Sequence, residues 1–387
     1  MDNPEPQALL VIGAPQHDAA VYHLSGFLAP DPVICARVAG KKYLAVSALE
    51  YGRARRQAPV DELLSYDELG VLRLARELKS GARGQAAAAA ELLQSLGAGH
   101  SPVAVPPTLD VVYADELRAR GIEVVPDAGL FTGLRRTKTE PEIASIEETQ
   151  RAVEDACAHA VDILREAAVA EDGTLLWRGE TLTSEALRSE IDTELLRRNC
   201  VADNTITAGG AQAADPHEEG RGPLRAGEAI ILDIFPQGRA SRYYADMTRT
   251  VVKGETSAEL QRMYDAVLRS QEAALGMIRA GVNGRDVHNR VSEILHEAGY
   301  KTLVHDQKPG EPLGEGFIHG TGHGVGLEIH EPPRISLADD ELVPGDVVTV
   351  EPGVYDPAVG GVRIEDLVVV TGDGNRNLTE FPKEFRL

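Results

Sequence analysis

The chain has 387 residues, 43% hydrophobic and 26% charged, proportions that suit a folded protein and, at about 100–200 residues per domain, two cores. Acidic residues outnumber Lys and Arg by 61 to 39, a formal net charge of −22, and no basic patch interrupts it, which argues against nucleic acid or anionic lipid as a partner. Cys35, Cys157 and Cys200 are far apart, odd in number and without a Cys-x-x-Cys pair, so neither a disulfide framework nor a thiolate zinc site is expected and the thiols should be reduced and buried.

The opening Met1-Asp2-Asn3-Pro4-Glu5-Pro6 lacks the basic start and apolar stretch of a signal peptide, and no run of about 18 apolar residues occurs, so a cytoplasmic location away from membranes is expected. Residues 9–13 read as a buried strand closing in a glycine turn, and 43–46, 103–105 and 122–125 as further strands. Between them, 66–79 and 85–96 have helical spacing, with alanines 86–90 as strong helix formers. This predicts an α/β domain over residues 1–132.

A boundary falls at 133–142, where Thr139-Glu140-Pro141-Glu142 combines a capping threonine, an early proline and first-turn acids, and predicts a long helix over 141–166. Helices are also predicted over 183–199, with Ser184 as cap, over 258–280 and over 284–298. Strands are predicted at 229–233, 248–252, 347–351 and 367–370. No tandem period of 20–50 residues argues for a solenoid. The fold class expected is α/β (α+β), with a second domain over 133–387.

In that second domain, acidic and imidazole groups stand at strand ends, where a core has no use for them. Asp233 ends an apolar run, and ionised burial there needs a cation or several donors. Asp246 opens the next strand. Taken singly, each aspartate also reads as a turn or cap residue. Residues 319–331 interleave glycine with His319, His323 and His330, a pattern that permits close backbone approach and is no helix interior. Glu351 and Glu365 interrupt two further β-branched runs, and either alone could be a surface residue at a strand end.

Four carboxylates and an imidazole on neighbouring strands cannot all stay charged side by side without cations. An oxygen-rich set with one nitrogen suits Mn²⁺ first, with Co²⁺, Fe²⁺ or Zn²⁺ as alternatives, and two ions about 3.5–4 Å apart would let a bridging hydroxide attack a polarised group.

With these residues in hand, the chain resembles the aminopeptidase P and prolidase branch of the pita-bread metallopeptidases. The resemblance rests on Asp233, on Asp246-Met247-Thr248-Arg249-Thr250, on 319–331, on Glu351-Pro352-Gly353, on Arg363-Ile364-Glu365-Asp366 and on the entry segment 135–142. It implies a creatinase-like N-terminal domain, a pita-bread catalytic domain, a homodimer and a peptide substrate cleaved at Xaa-Pro bonds. Carried over, it makes Asp233 a ligand of one ion, Asp246 and Glu365 bridges, and His323 and Glu351 ligands of the second ion, with Glu351 also handling the water's proton. His319 and His330 would contact substrate and its tetrahedral intermediate, and His217, in Asp215-Pro216-His217, would shuttle a proton or touch substrate.

The loop between Asp233 and Asp246 is slightly longer than the family pattern and carries Arg239 and Arg242. Either could grip a substrate carboxylate through paired hydrogen bonds, as could Arg334 or Arg363, shifting preference toward dipeptides or toward carboxypeptidase-like cleavage. A metal-free creatine-hydrolysing enzyme or a metal-free binding module of the same fold would not need all five ligand residues.

Overall fold

The structure is a computed structural model that describes residues 8–387; the reading of the first six residues lies outside them. The chain forms two compact units, one ending at Arg135 and one spanning Arg136–Leu387.

In the first unit, a six-stranded mixed sheet runs in the order Glu62–Ser65, Lys41–Val46, Val33–Val38, Ala8–Gly13, Val103–Val105, Val124–Pro126. The period of two along Ala8–Gly13 sends Ala8, Leu10 and Ile12 to one face, against the alanines of helix Gly81–Ser95. It sends Leu9 and Val11 to the other, against Val21, Leu24 and Phe27. Both faces are therefore covered. The predicted helix over 66–79 starts later, at Val71, because the Tyr66 N–H is still engaged with the Val46 carbonyl and Gly70, at φ 63°, stands in the left-handed region just before the helix. The strand Val33–Val38 was not predicted, since Cys-Ala-Arg breaks its β-branched run.

The second unit opens with helix Glu140–Glu166, whose capping residue Thr139 donates its N–H to the Glu142 carboxylate at 2.7 Å. The next helix, Ser184–Arg197, is capped by Thr183 rather than Ser184: the Thr183 hydroxyl accepts from the Ala186 N–H, and Ser184 is buried one position inside. Three antiparallel strands follow, Ile206–Gly209, Ile230–Ile234 and Met247–Val251, with Ile230–Ile234 in the middle. A five-stranded sheet runs Glu331–Ile335, Gly322–Gly324, Val347–Val350, Asp366–Val370, Asn375–Asn377, beside the hairpin Gly353–Asp356 and Gly360–Arg363. Helices Ala258–Met277 and Gly284–Glu297 close one face of it, burying Met263, Val267, Val287 and Val291 against Val348, Val350 and Val368. The other side of these strands carries the polar groups. The three cysteines are free and buried, and among the described residues no helix is long and apolar enough to cross a membrane.

Candidate metal centre

Asp233 lies on the central strand, opposite Ile206 on one side and Thr248 on the other, and its apolar neighbours Ile230 to Leu232 carry it into the interior. Asp246 sits one residue ahead of the adjacent strand, its N–H donating to Gln150 Oε1 on the long helix at 3.3 Å. Val350 pairs with Asp366, so Glu351, just past one strand, and Glu365, just before the other, emerge at the same end. His323 occupies the short strand Gly322–Gly324. A Cβ on Gly322 would stand 2.0 Å from the Thr349 carbonyl oxygen, so only glycine admits this approach.

These elements converge. Asp246, His323 and Glu365 each offer a ligand atom, all within 4.8 Å of one another. His323 Nε2 lies 3.8 Å from Asp246 Oδ2 and 3.5 Å from Glu351 Oε1. His323 Nδ1 donates to the Gly324 carbonyl at 3.2 Å, which leaves the Nε2 lone pair facing the carboxylates. Asp233 Oδ2 accepts from Arg363 Nη2 at 2.6 Å, and Glu365 Oε2 from the Thr248 hydroxyl at 2.7 Å.

Burial and then the neighbouring negative charges hold the carboxyls of Asp246 and Glu365 well above the usual range. Burial pushes Glu351 up to about 8, with Asp233 adding to the effect and Arg363 and Arg334 opposing it. Burial lowers His323 to about 3, helped by His330, and lowers His319 to about 3, helped by Arg363. Without cations this cluster must hold protons, because four clustered carboxylates repel one another. The donor set, rich in oxygen with one aimed imidazole, fits hard or borderline divalent ions.

The cluster floors a cavity of about 650 Å³. His217, exposed on its loop, and His330, edge-on to His323 with ring centroids 4.4 Å apart, line the cavity with Arg334, which is exposed. His319 lines it too, yet both its nitrogens are engaged: Nδ1 donates to the Gly320 carbonyl at 2.7 Å, and Nε2 accepts from the Tyr355 hydroxyl at 2.9 Å. Arg363 is buried and spends its donors on Asp233, Tyr355, Thr248 and the Pro216 carbonyl, so it braces the cluster. Arg239 and Arg242 do not line the cavity: they sit in the turn that follows the short strand Gln237–Gly238, which pairs with Cys200–Val201. Sequence reasoning missed the apolar wall of Ile206, Phe235, Ile318 and Ile329, because such residues look like core until the cavity exposes them. It also missed the bracing roles of Thr248, Gln150 and Tyr355.

Residues 144–372 match metallopeptidase family M24. The chain belongs to that family. This M24 protein is 28% identical over 395 residues to the Xaa-Pro dipeptidase of Pyrococcus horikoshii, an alignment covering 99% of this chain and 95% of that one. It is 32% identical over 253 residues to the Xaa-Pro dipeptidase of Pyrococcus furiosus, covering 65% of each. Among solved structures, the Xaa-Pro dipeptidase from Bacillus anthracis superposes with a TM-score of 0.79 at 25% identity, covering 99% of this chain and 95% of that one. The X-Pro aminopeptidase from Thermotoga maritima superposes with a TM-score of 0.78 at 24% identity, covering 99% and 98%. The M24 chain is thus a metallopeptidase of the prolidase and aminopeptidase P branch, with a creatinase-like N-terminal fold and a pita-bread C-terminal fold.

Proposed function

We propose that this M24 enzyme is a dinuclear-metal exopeptidase that hydrolyses Xaa-Pro peptide bonds, with dipeptides as preferred substrates. The observation that carries the metal reading is the approach of Asp246, His323 and Glu365 ligand atoms to within 4.8 Å of one another in a buried, proton-hungry cluster. Asp233 and Glu351 would complete the donor set that holds the ions with Asp246, His323 and Glu365. Bound ions would supply a water nucleophilic at neutral pH and charge to polarise the scissile carbonyl.

The chain's own groups do the rest. Glu351, which lines the cavity with its Oε1 3.5 Å from His323 Nε2, is suited to take the water's proton at its carboxylate and pass it to the leaving nitrogen. His330 and His217 face the cavity where the tetrahedral intermediate's oxygen must be stabilised. Ile206, Phe235, Ile318 and Ile329 offer an apolar wall that excludes water and suits a pyrrolidine ring. Arg334 is assigned the substrate carboxylate, and its position on the cavity wall favours the dipeptidase mode over aminopeptidase action on long peptides. Proline preference draws on the Pyrococcus relatives. Manganese as native ion, a homodimer and cytoplasmic residence draw on the resemblance of the sequence motifs and on its composition.

The test compares Xaa-Pro dipeptides with Xaa-Pro-Xaa peptides, C-terminally amidated dipeptides and dipeptides lacking proline. Selective cleavage of free Xaa-Pro dipeptides is expected. Preference for long or amidated peptides would move the assignment to aminopeptidase, and a requirement for a free C-terminus on long peptides would move it to the carboxypeptidase-like mode.

A further inference from the structure

Behind the histidine segment lies a group that the proposed chemistry does not use. His288, on helix Gly284–Glu297, is buried, and its Nδ1 shares a 3.0 Å hydrogen bond with Thr321 Oγ1. Its Nε2 has no hydrogen-bond partner among the described residues. An apolar side chain of similar size would fill this site without a desolvated nitrogen, so the bond to Thr321 is what distinguishes histidine here from a core residue.

Thr321 is the joint of the site. It stands midway between His319 and His323 and is flanked by Gly320 and Gly322, which have no side chains with which to anchor the segment. Its N–H donates to the Ile335 carbonyl at 2.7 Å, and its carbonyl accepts from the Glu351 N–H at 2.8 Å. A shift of Thr321 therefore moves His323 and Glu351 together. His288 reaches the third member by a second route: its ring packs on Phe317 with centroids 5.2 Å apart, and Phe317 packs edge-on to His319 at 5.4 Å.

We propose that His288 is a positioning residue of the peptidase site, which fixes His319, His323 and Glu351 through its hydrogen bond to Thr321 and its contact with Phe317. The inference rests on the metal assignment made above and adds to it a polar support from the opposite side of the sheet. Partners behind metal-binding side chains are typically worth about 10–100-fold in affinity or activity, because the ligand they hold drifts when they are removed.

The experiment uses the full chain and four variants: Thr321→Val, which keeps the volume and removes the hydroxyl; Thr321→Ser, which keeps the hydroxyl; His288→Phe, which keeps the ring; and the double variant His288→Phe/Thr321→Val. Manganese affinity by calorimetry and kcat and KM on an Xaa-Pro dipeptide are read for each, with thermal unfolding of the metal-free chain as the structural control. Thr321→Val and His288→Phe are each expected to lose roughly tenfold in manganese affinity and kcat with KM little changed, Thr321→Ser to recover most of it, and the double variant to be no worse than either single. Unchanged affinity and kcat in folded Thr321→Val, or losses that simply add in the double variant, overturn the proposal. If His288→Phe fails to fold, the contrast between Thr321→Val and Thr321→Ser decides alone. No manganese uptake by the unsubstituted chain overturns the functional reading and this inference with it, whereas normal uptake in Thr321→Val overturns this inference only.

Discussion

Glu365 and Thr248 are joined by two reciprocal hydrogen bonds: the Thr248 hydroxyl donates to Glu365 Oε2 at 2.7 Å, and the Glu365 N–H donates to the Thr248 carbonyl at 3.0 Å. This clamp couples the three-stranded sheet that carries Asp233 to the strand that Glu365 precedes. The hydroxyl also accepts from Arg363 Nε at 3.2 Å, so one threonine orients a carboxylate and an arginine at once. Thr248→Val is therefore expected to lower manganese affinity by roughly tenfold or more, read by calorimetry, with the fold retained. Affinity equal to that of the unsubstituted chain would remove the clamp from the account.

The buried carboxylates set up an exchange of stability for function. Glu365→Gln should abolish peptidase activity and yet raise the melting temperature of the chelator-treated protein, because it removes one of the mutually repelling acids. Differential scanning calorimetry with EDTA reads the second effect, and a lower melting temperature than that of the unsubstituted chain would count against crowded negative charge at this position.

The same cluster fixes the sign of a pH dependence. Glu351 is raised in the folded chain from 4.5 to about 8, so its stabilising contribution is full below 4.5 and is lost as pH rises through that window. His319 and His323 are lowered from 6.5 to about 3, so their contribution is present above 6.5 and is lost as pH falls. The two effects oppose each other below 6.5. From pH 6.5 to 8 the carboxylates act without that opposition, and urea unfolding of the metal-free protein should show stability falling across this interval, less steeply in Glu351→Gln. A rise in stability there would contradict the protonated cluster.

Lys138 and Glu331 form an ion pair of 2.5 Å with side chains only 1% and 2% exposed, and Glu331 follows His330 directly. Glu331→Leu or Lys138→Met alone strands a buried charge and should cost about 3–5 kcal/mol of stability, while the double variant recovers much of that loss. Chemical denaturation of all three variants checks this. Additive losses would show that the pair is not coupled.

Much of the centre was legible because its residues violate the logic of the strands around them. Asp233 after Ile230-Ile231-Leu232 and the histidines spaced by glycine could not be explained as core, and the structure brings them together. What could not be read was which partner each group would find. Arg363 looks from its motif like a free substrate contact, but Asp233 and Tyr355 lie within its reach only because the hairpin Gly353–Asp356 and Gly360–Arg363 folds beside the Asp233 strand. Arg239 and Arg242 were candidates for the same reason, and the pairing of Gln237–Gly238 with Cys200–Val201 takes their turn off the cavity wall. Long amphipathic helices such as Glu140–Glu166 announced themselves by periodicity, whereas the strand Val33–Val38, with an arginine and an alanine inside it, gains its place from its neighbours on either side.

Arg334 offers a direct probe of substrate mode. Arg334→Gln should raise KM for free Xaa-Pro dipeptides by about tenfold to a hundredfold, the worth of a hydrogen bond to a charged group, and leave amidated analogues nearly unaffected. Equal effects on both would show that the guanidinium does not meet the carboxylate.

Asp233, Asp246, His323, Glu351 and Glu365, brought together on and beside separate strands, are proposed to hold a pair of cations on which peptide hydrolysis depends. The most direct measurement is Xaa-Pro dipeptide turnover by chain stripped with EDTA and then titrated with manganese, with bound metal counted by elemental analysis. Negligible turnover is expected after stripping, with recovery that saturates at two ions per chain; undiminished turnover by the stripped chain would show that the carboxylates and His323 do not act through metal.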